Sequence, residues 1–184
     1  MEGEKLNVPC DTIDGLVEFC NVAHEDQRGS LSEVFNEETK LKLPPFSSCL
    51  ELEVTSKAGV VRGFHYQVSD CAQAKLVRVV SGKILDVVLD LRRSSDTFGK
   101  CAWRILSDSN LKNLYIPRGF GHAYQALSDA KISYKLDNKY NKQGSRGIRF
   151  DDPFLAIPWN NRLPVIISPT DMSFPTFENA EYYE

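Results

Sequence analysis

The chain has 184 residues, enough for one domain with a proper core and short for two. Hydrophobic residues make up 42% and charged residues 26%, a globular balance. The formal net charge of −3 argues against a nucleic-acid partner, which would call for a basic protein.

Cys10, Cys20, Cys49, Cys71 and Cys101 are odd in number and include no C-x-x-C pair. That argues against a disulfide framework or a zinc finger and predicts reduced thiols in a cytoplasmic protein. The first residues, MEGEKLNVPCD, lack the basic-then-apolar order of a signal peptide. No apolar run approaches bilayer length, so no membrane association is expected. The expectation is one domain spanning residues 1–184.

In chain order, Phe35–Leu43 predicts a turn or two of helix, and Cys49–Thr55 and Val60–Gln67 predict strands. Lys75–Leu91 gives the clearest alternation: Val77 and Val79 before Ser81-Gly82, then Leu85, Val87 and Leu89 against Ile84, Asp86 and Val88. It predicts a β-hairpin turning at Ser81-Gly82. Further strands are expected at Cys101–Leu106, Asn113–Ile116, Ala123–Leu127, Ile132–Leu136 and Val165–Ile167, with a helical turn or two at Ser107–Leu111. Many short strands and few, short helices predict an all-β fold, a sandwich or closed barrel with a ligand in its mouth.

Three histidines bear on chemistry. His24 lies in a polar loop, VAHEDQRGS, and is expected to be solvated. His65 sits in the strand GVVRGFHYQ, where alternation puts it on one face with Val61, Gly63 and Gln67, and Phe64 and Tyr66 on the other. Arg62 and Lys75 are close enough to converge with it. His122 follows PRGFG, the P-x-G-x-x-H pattern of a cupin barrel's second motif. The first cupin motif would need H-x-H and a glutamate, but the chain has His65, Tyr66 and Gln67, so no metal is expected. Tyr134 would ordinarily be strand packing and Asp171 a surface carboxylate, although Asp171 could orient a histidine.

These blocks together resemble the 4-keto-sugar-nucleotide 3,5-epimerases, the family of dTDP-4-dehydrorhamnose 3,5-epimerase. The resemblance runs from about Gly15 to Pro175 through DQRGSLSEVF, GVVRGFHYQ, QAKLVRVVSGKILDVVLDLRRSSDTFGK, IPRGFGHAY, YKLDNKY and RGIRFDDPFLAIPW. It implies a cupin-like jelly-roll barrel, a homodimer, and an isomerase that needs no cofactor. It places the base at His65 with its partner Asp171, the acid at Tyr134, and the lysine near the ketone at Lys75. Substrate-binding positions match Arg28, Glu33, Arg62, His122 and Tyr140.

Some positions depart from the family's pattern. A glutamine and an asparagine that help hold the nucleotide are Leu50 and Leu52 here. The glutamate before R-G-I-R is Ser145, and the lysine or polar residue before the final aspartate is Thr170. The resemblance thus implies inversion at C3, C5 or both of a nucleotide-linked 4-keto-6-deoxy sugar through an enolate, with the nucleotide open among dTDP, CDP and GDP. Surface-polysaccharide biosynthesis, such as lipopolysaccharide O-antigen, is the implied setting. Alternatives are a single-centre epimerase of a keto-heptose nucleotide, a sugar 3,4-ketoisomerase, and a non-catalytic sugar-binding cupin.

Overall fold

The structure, a computed structural model, describes residues 13–183. The N-terminal stretch read above for targeting, Cys10 included, lies outside them. The described elements are β1 (Val17–Cys20), β2 (Ala23–Asp26), β3 (Gly29–Ser32), α1 (Glu37–Lys42), β4 (Leu50–Ser56), β5 (Val61–Gln67), β6 (Lys75–Ser81) and β7 (Lys83–Asp90). β8 (Cys101–Ser107), β9 (Lys112–Ile116), β10 (Phe120–Ala126), β11 (Ala130–Leu136), β12 (Ser145–Gly147) and α2 (Pro169–Met172) follow.

Two antiparallel five-stranded sheets face each other, in the orders β1-β9-β6-β11-β4 and β12-β5-β10-β7-β8. The result is the expected cupin-like jelly roll with short peripheral helices. β2 and β3 pair only with each other.

The core explains the alternation. Val77 and Val79 of β6, Ile132 of β11, and Ile84 and Val88 of β7 meet between the sheets. Leu85, Val87 and Leu89 of β7 point to the outer face of the second sheet, yet they are buried too, beneath Ile148, Leu155 and Phe177. β7 is therefore mostly apolar on both faces, as expected of a strand covered on both sides, with Asp86 an exception on the inner one. The outer face of the first sheet is covered more lightly, by Leu43 and Phe46 against Leu76 and Tyr115.

The predicted hairpin is corrected. β6 pairs with β9 and β11, and β7 with β10 and β8, so the chain crosses between sheets at Gly82. Gly82 has φ +82°, and a Cβ there would lie 2.1 Å from the Asp129 carbonyl oxygen. Its N–H donates to Asp108 Oδ2 at 2.8 Å. Two alternating runs around Ser-Gly look the same whether the strands pair or turn a barrel corner.

The other expected strands through Leu136 lie within a few residues of their predicted bounds. α1 falls inside Phe35–Leu43, capped by Asn36, whose side chain accepts from Thr39 N. Ser107–Leu111 is a turn held by the Asn110 side chain, which accepts from Ser107 N and Lys112 N. Val165–Ile167 gives only an isolated bridge, Ile166 to Val60. Pro164 removes a ladder donor there, and Val165 and Ile166 are half exposed. Among the described residues no helix is long and apolar enough to cross a membrane.

Candidate active site

Between the sheets lies a pocket of about 410 Å³, within the range of small-molecule sites. The first sheet supplies Lys75 from β6, Tyr134 and Leu136 from β11, and Leu50, Leu52 and Val54 from β4. The second supplies Arg62 and His65 from β5, His122 and Tyr124 from β10, and Ser145 from β12. Asp171 and Phe174 close one side, and Tyr140, 65% exposed, stands at the rim.

Simple alternation on β5 would send Arg62 and His65 to opposite faces. The β5–β10 register shifts between His65↔His122 and Arg62↔Tyr124, with three steps on β5 against two on β10. One extra residue on β5 turns both side chains into the pocket, the effect of a β-bulge. Gly63 sits in this bulge with φ +110°, and a Cβ there would lie 2.4 Å from the His122 carbonyl oxygen. The face assignment made from sequence is corrected accordingly.

His65 Nε2 lies 3.1 Å from Asp171 Oδ1. Asp171 is fixed in turn: Gly63 N donates to its Oδ2 at 3.1 Å, and Ser168 Oγ donates to its Oδ1 at 2.9 Å. Ser168 also caps α2 by accepting from Asp171 N. Burial pushes the Asp171 carboxyl upward, but the hydrogen bond from His65, the charge of that ring and the Gly63 N–H together hold it below its ordinary value. Asp171 is therefore ionised and ready to accept from Nε2–H, which leaves His65 Nδ1 free to take a proton. Phe174 packs edge-on to the His65 ring at 5.6 Å.

Lys75 is partly buried, and its ammonium donates to the His65 carbonyl oxygen at 3.2 Å. Desolvation lowers its pKa to about 8, partly opposed by Asp86. His122 Nε2 lies 2.8 Å from Asp86 Oδ2, both buried. Burial lowers the His122 pKa although the charge and hydrogen bond of Asp86 oppose it, which favours the neutral ring. The Tyr134 ring lies edge-on to His122 at 5.9 Å. Burial, with the nearby Tyr124 and Asp86, raises the Tyr134 pKa well above its ordinary value, so the phenol keeps its proton at neutral pH.

Seven of the nine residues named from sequence thus meet in one pocket: His65, Lys75, Tyr134, Asp171, Arg62, His122 and Tyr140. Arg28 and Glu33 do not line it. Arg28 sits on the β2–β3 ribbon, 90% exposed and paired with Asp26, and Glu33 accepts from Asn36.

Sequence reasoning missed Asp86. Its signal was a carboxylate at a core-facing position of KILDVVLD, in phase with Ile84 and Val88. Its Oδ1 is buried without a hydrogen-bond partner among the described residues. Also missed was the support of Arg62, whose Nε donates to Ser56 Oγ at 3.3 Å while Ser56 bonds the Tyr124 hydroxyl at 2.8 Å. Among the described residues no group of three or more His, Cys, Asp or Glu is placed to hold a metal ion.

Comparison with known proteins agrees with this geometry. Residues 11–179 match the family model described as dTDP-4-dehydrorhamnose 3,5-epimerase. The chain is 38% identical to the enzyme of that name from Shigella flexneri, over 97% of this chain and 99% of that one. The Legionella pneumophila dTDP-6-deoxy-D-glucose-3,5-epimerase, solved with dTDP-4-keto-L-rhamnose, is similar at TM-score 0.88 and 32% identity, covering 97% of this chain and 98% of that one. A 3'-monoepimerase from Streptomyces bikiniensis, solved with dTDP-quinovose, gives TM-score 0.85 and 30% identity, covering 91% of this chain and 86% of that one. A jelly roll with this pocket and a match along nearly its whole length make the chain an isomerase belonging to the dTDP-4-dehydrorhamnose 3,5-epimerase family.

Proposed function

We propose that the protein epimerises a dTDP-linked 4-keto-6-deoxy sugar at C3, C5 or both, through an enolate. The observation that carries this is the opposition of the His65–Asp171 pair on one sheet to the Tyr134 phenol on the other. A ketone at C4 acidifies the hydrogens on C3 and C5. His65 Nδ1 takes one of them as the C–H bond breaks, and the electron pair moves to O4. Lys75, with Arg62 near, stabilises the oxygen. Tyr134 then delivers its proton to the opposite face of the same carbon, which inverts it. The tyrosinate and the imidazolium return to their starting states by exchange with water.

dTDP is preferred over CDP and GDP because the solved relatives carry dTDP sugars. The monoepimerase among them supports a single-centre variant as the second reading. A homodimer belongs to the same proposal. Arg28 and Glu33 lie on or beside a ribbon that joins neither sheet and exposes Leu31, so a second copy is the element able to receive them.

The test is incubation with 4-keto-6-deoxyglucose on dTDP, CDP and GDP in heavy water, followed by NMR. Deuterium entering C3 or C5 fastest on the dTDP sugar is the expected result. Uptake at both carbons means double epimerisation, and at one means the single-centre reading. No uptake on any nucleotide removes the epimerase assignment.

A further inference from the structure

The segment that carries Tyr140 is held by a side chain the proposed chemistry does not use. Residues 137–144, between β11 and β12, belong to no strand. Their backbone polar groups therefore need partners from elsewhere. Gln67, the last residue of β5 and only 4% exposed, provides them on both sides of Tyr140. Its Nε2 donates to the Lys139 carbonyl oxygen at 3.2 Å, and its Oε1 accepts from Asn141 N at 2.6 Å. Nε2 also donates to the Cys71 carbonyl oxygen at 2.8 Å, in the loop after β5. With both the nitrogen and the oxygen engaged, the carboxamide has one orientation.

Other bonds brace the same segment. Asn141 Oδ1 accepts from Gln143 N at 2.8 Å and from Gly144 N at 3.1 Å, and Gln73 Nε2 donates to the Asn138 carbonyl oxygen at 2.8 Å. The backbone around Tyr140 is thus fixed, while its ring stands 65% exposed at the pocket rim. Tyr134 and His122, by contrast, are 9% and 5% exposed, deep in the pocket. A substrate that reacts at its sugar places the sugar there, so the attached diphosphate and nucleoside pass outward by the rim. An exposed ring on a fixed backbone offers a planar base a stacking face, with only two side-chain torsions left to order. A loose backbone would have to be ordered on binding, which weakens affinity.

We propose that Gln67 is a positioning residue for the nucleotide half of the substrate, fixing the backbone on either side of Tyr140 so that the ring is presented before the ligand arrives. This rests on the epimerase reading for a nucleotide-linked substrate, and it is tested by binding so that the two can fail separately. The probe is dTDP, titrated calorimetrically into the wild type, Gln67→Leu, Tyr140→Ala and the double variant. Steady-state kinetics and deuterium uptake on the dTDP-linked 4-keto-6-deoxy sugar are followed in parallel. Melting curves report folding, and Gln67→Asn, whose amide is one methylene short of the segment, serves if Gln67→Leu does not fold.

Tyr140→Ala should weaken dTDP by about ten- to a hundredfold, the range of one base–aromatic stack. Gln67→Leu should weaken it by about three- to tenfold and raise KM far more than it lowers kcat. The double variant should bind no more weakly than Tyr140→Ala alone, because a backbone that presents no ring has nothing to position. Losses that simply multiply in the double variant would overturn the proposal. So would a Gln67→Leu protein that binds dTDP as the wild type does and loses kcat instead, since that would trace the damage to His65, two residues away. Absent deuterium uptake in the wild type, with the coupling between Gln67 and Tyr140 intact, would fault the epimerase reading and leave the role of Gln67 standing.

Discussion

At the scale of the residue, the pocket sets its protonation states by burial and pairing. Tyr134 is held neutral as a donor, and Asp171 is held ionised as a hydrogen-bond acceptor for His65. Lys75 has its charge change brought down toward physiological pH. Desolvation depresses its pKa from 10.5 to about 8, so it is an ammonium below that pH and a neutral amine above it. If the ammonium stabilises the enolate oxygen, kcat/KM should fall as pH rises above about 8. Lys75→Met should cost about 10²-fold or more in kcat and lose that descending limb. The same depression acts on stability. Between about pH 8 and 10.5 the unfolded chain binds more protons at Lys75 than the folded one, so this residue adds stability as pH rises through that window. Denaturant unfolding across the window should show a smaller gain in Lys75→Met than in the wild type. A pH profile for kcat/KM that Lys75→Met leaves unaltered would remove the lysine from the chemistry.

At the scale of the element, what was legible in the sequence followed periodicity, and what was not followed the third dimension. β4 through β11 could be found because each alternates over five or more residues. The short, polar β2–β3 ribbon, with HED against GSLS, carries no such signal. Pairing was less legible than position. Lys75–Leu91 shows where two strands lie but not that Gly82 sends them to different sheets, because a hairpin and a barrel corner ask for the same residues. The bulge on β5 is of the same kind: nothing local in VRGFHYQ announces the extra residue that turns Arg62 toward His65, although the glycine at position 63 permits it. The site was partly legible through family motifs, which pointed to His65, Tyr134 and Asp171 together. It was not legible from spacing alone, since Asp171 lies 106 positions from His65.

At the scale of the molecule, the two sheets do different work. One holds the His65 side of the pocket, the other the Tyr134 and Lys75 side, and the core between them keeps the two apart. The β2–β3 ribbon stands outside this frame. If a second copy receives it, each site is built from two chains. Arg28→Ala and His65→Ala proteins should then each be nearly inactive at low substrate concentration, while a refolded mixture regains activity well above their sum. Only the mixed dimer can combine an intact His65 with an intact Arg28. A mixture no more active than its parts would place Arg28 outside the site.

The central claim is that His65 and Tyr134 act on opposite faces of the same carbon. It is tested most directly by Tyr134→Phe in heavy water, followed by NMR on the sugar's C3 and C5. The account predicts that deuterium still enters, since His65 can remove and return a proton on its own face. It also predicts that the inverted product falls by about 10²-fold or more, because the opposite face has lost its donor. Wild-type rates of inversion in Tyr134→Phe would contradict the two-faced site.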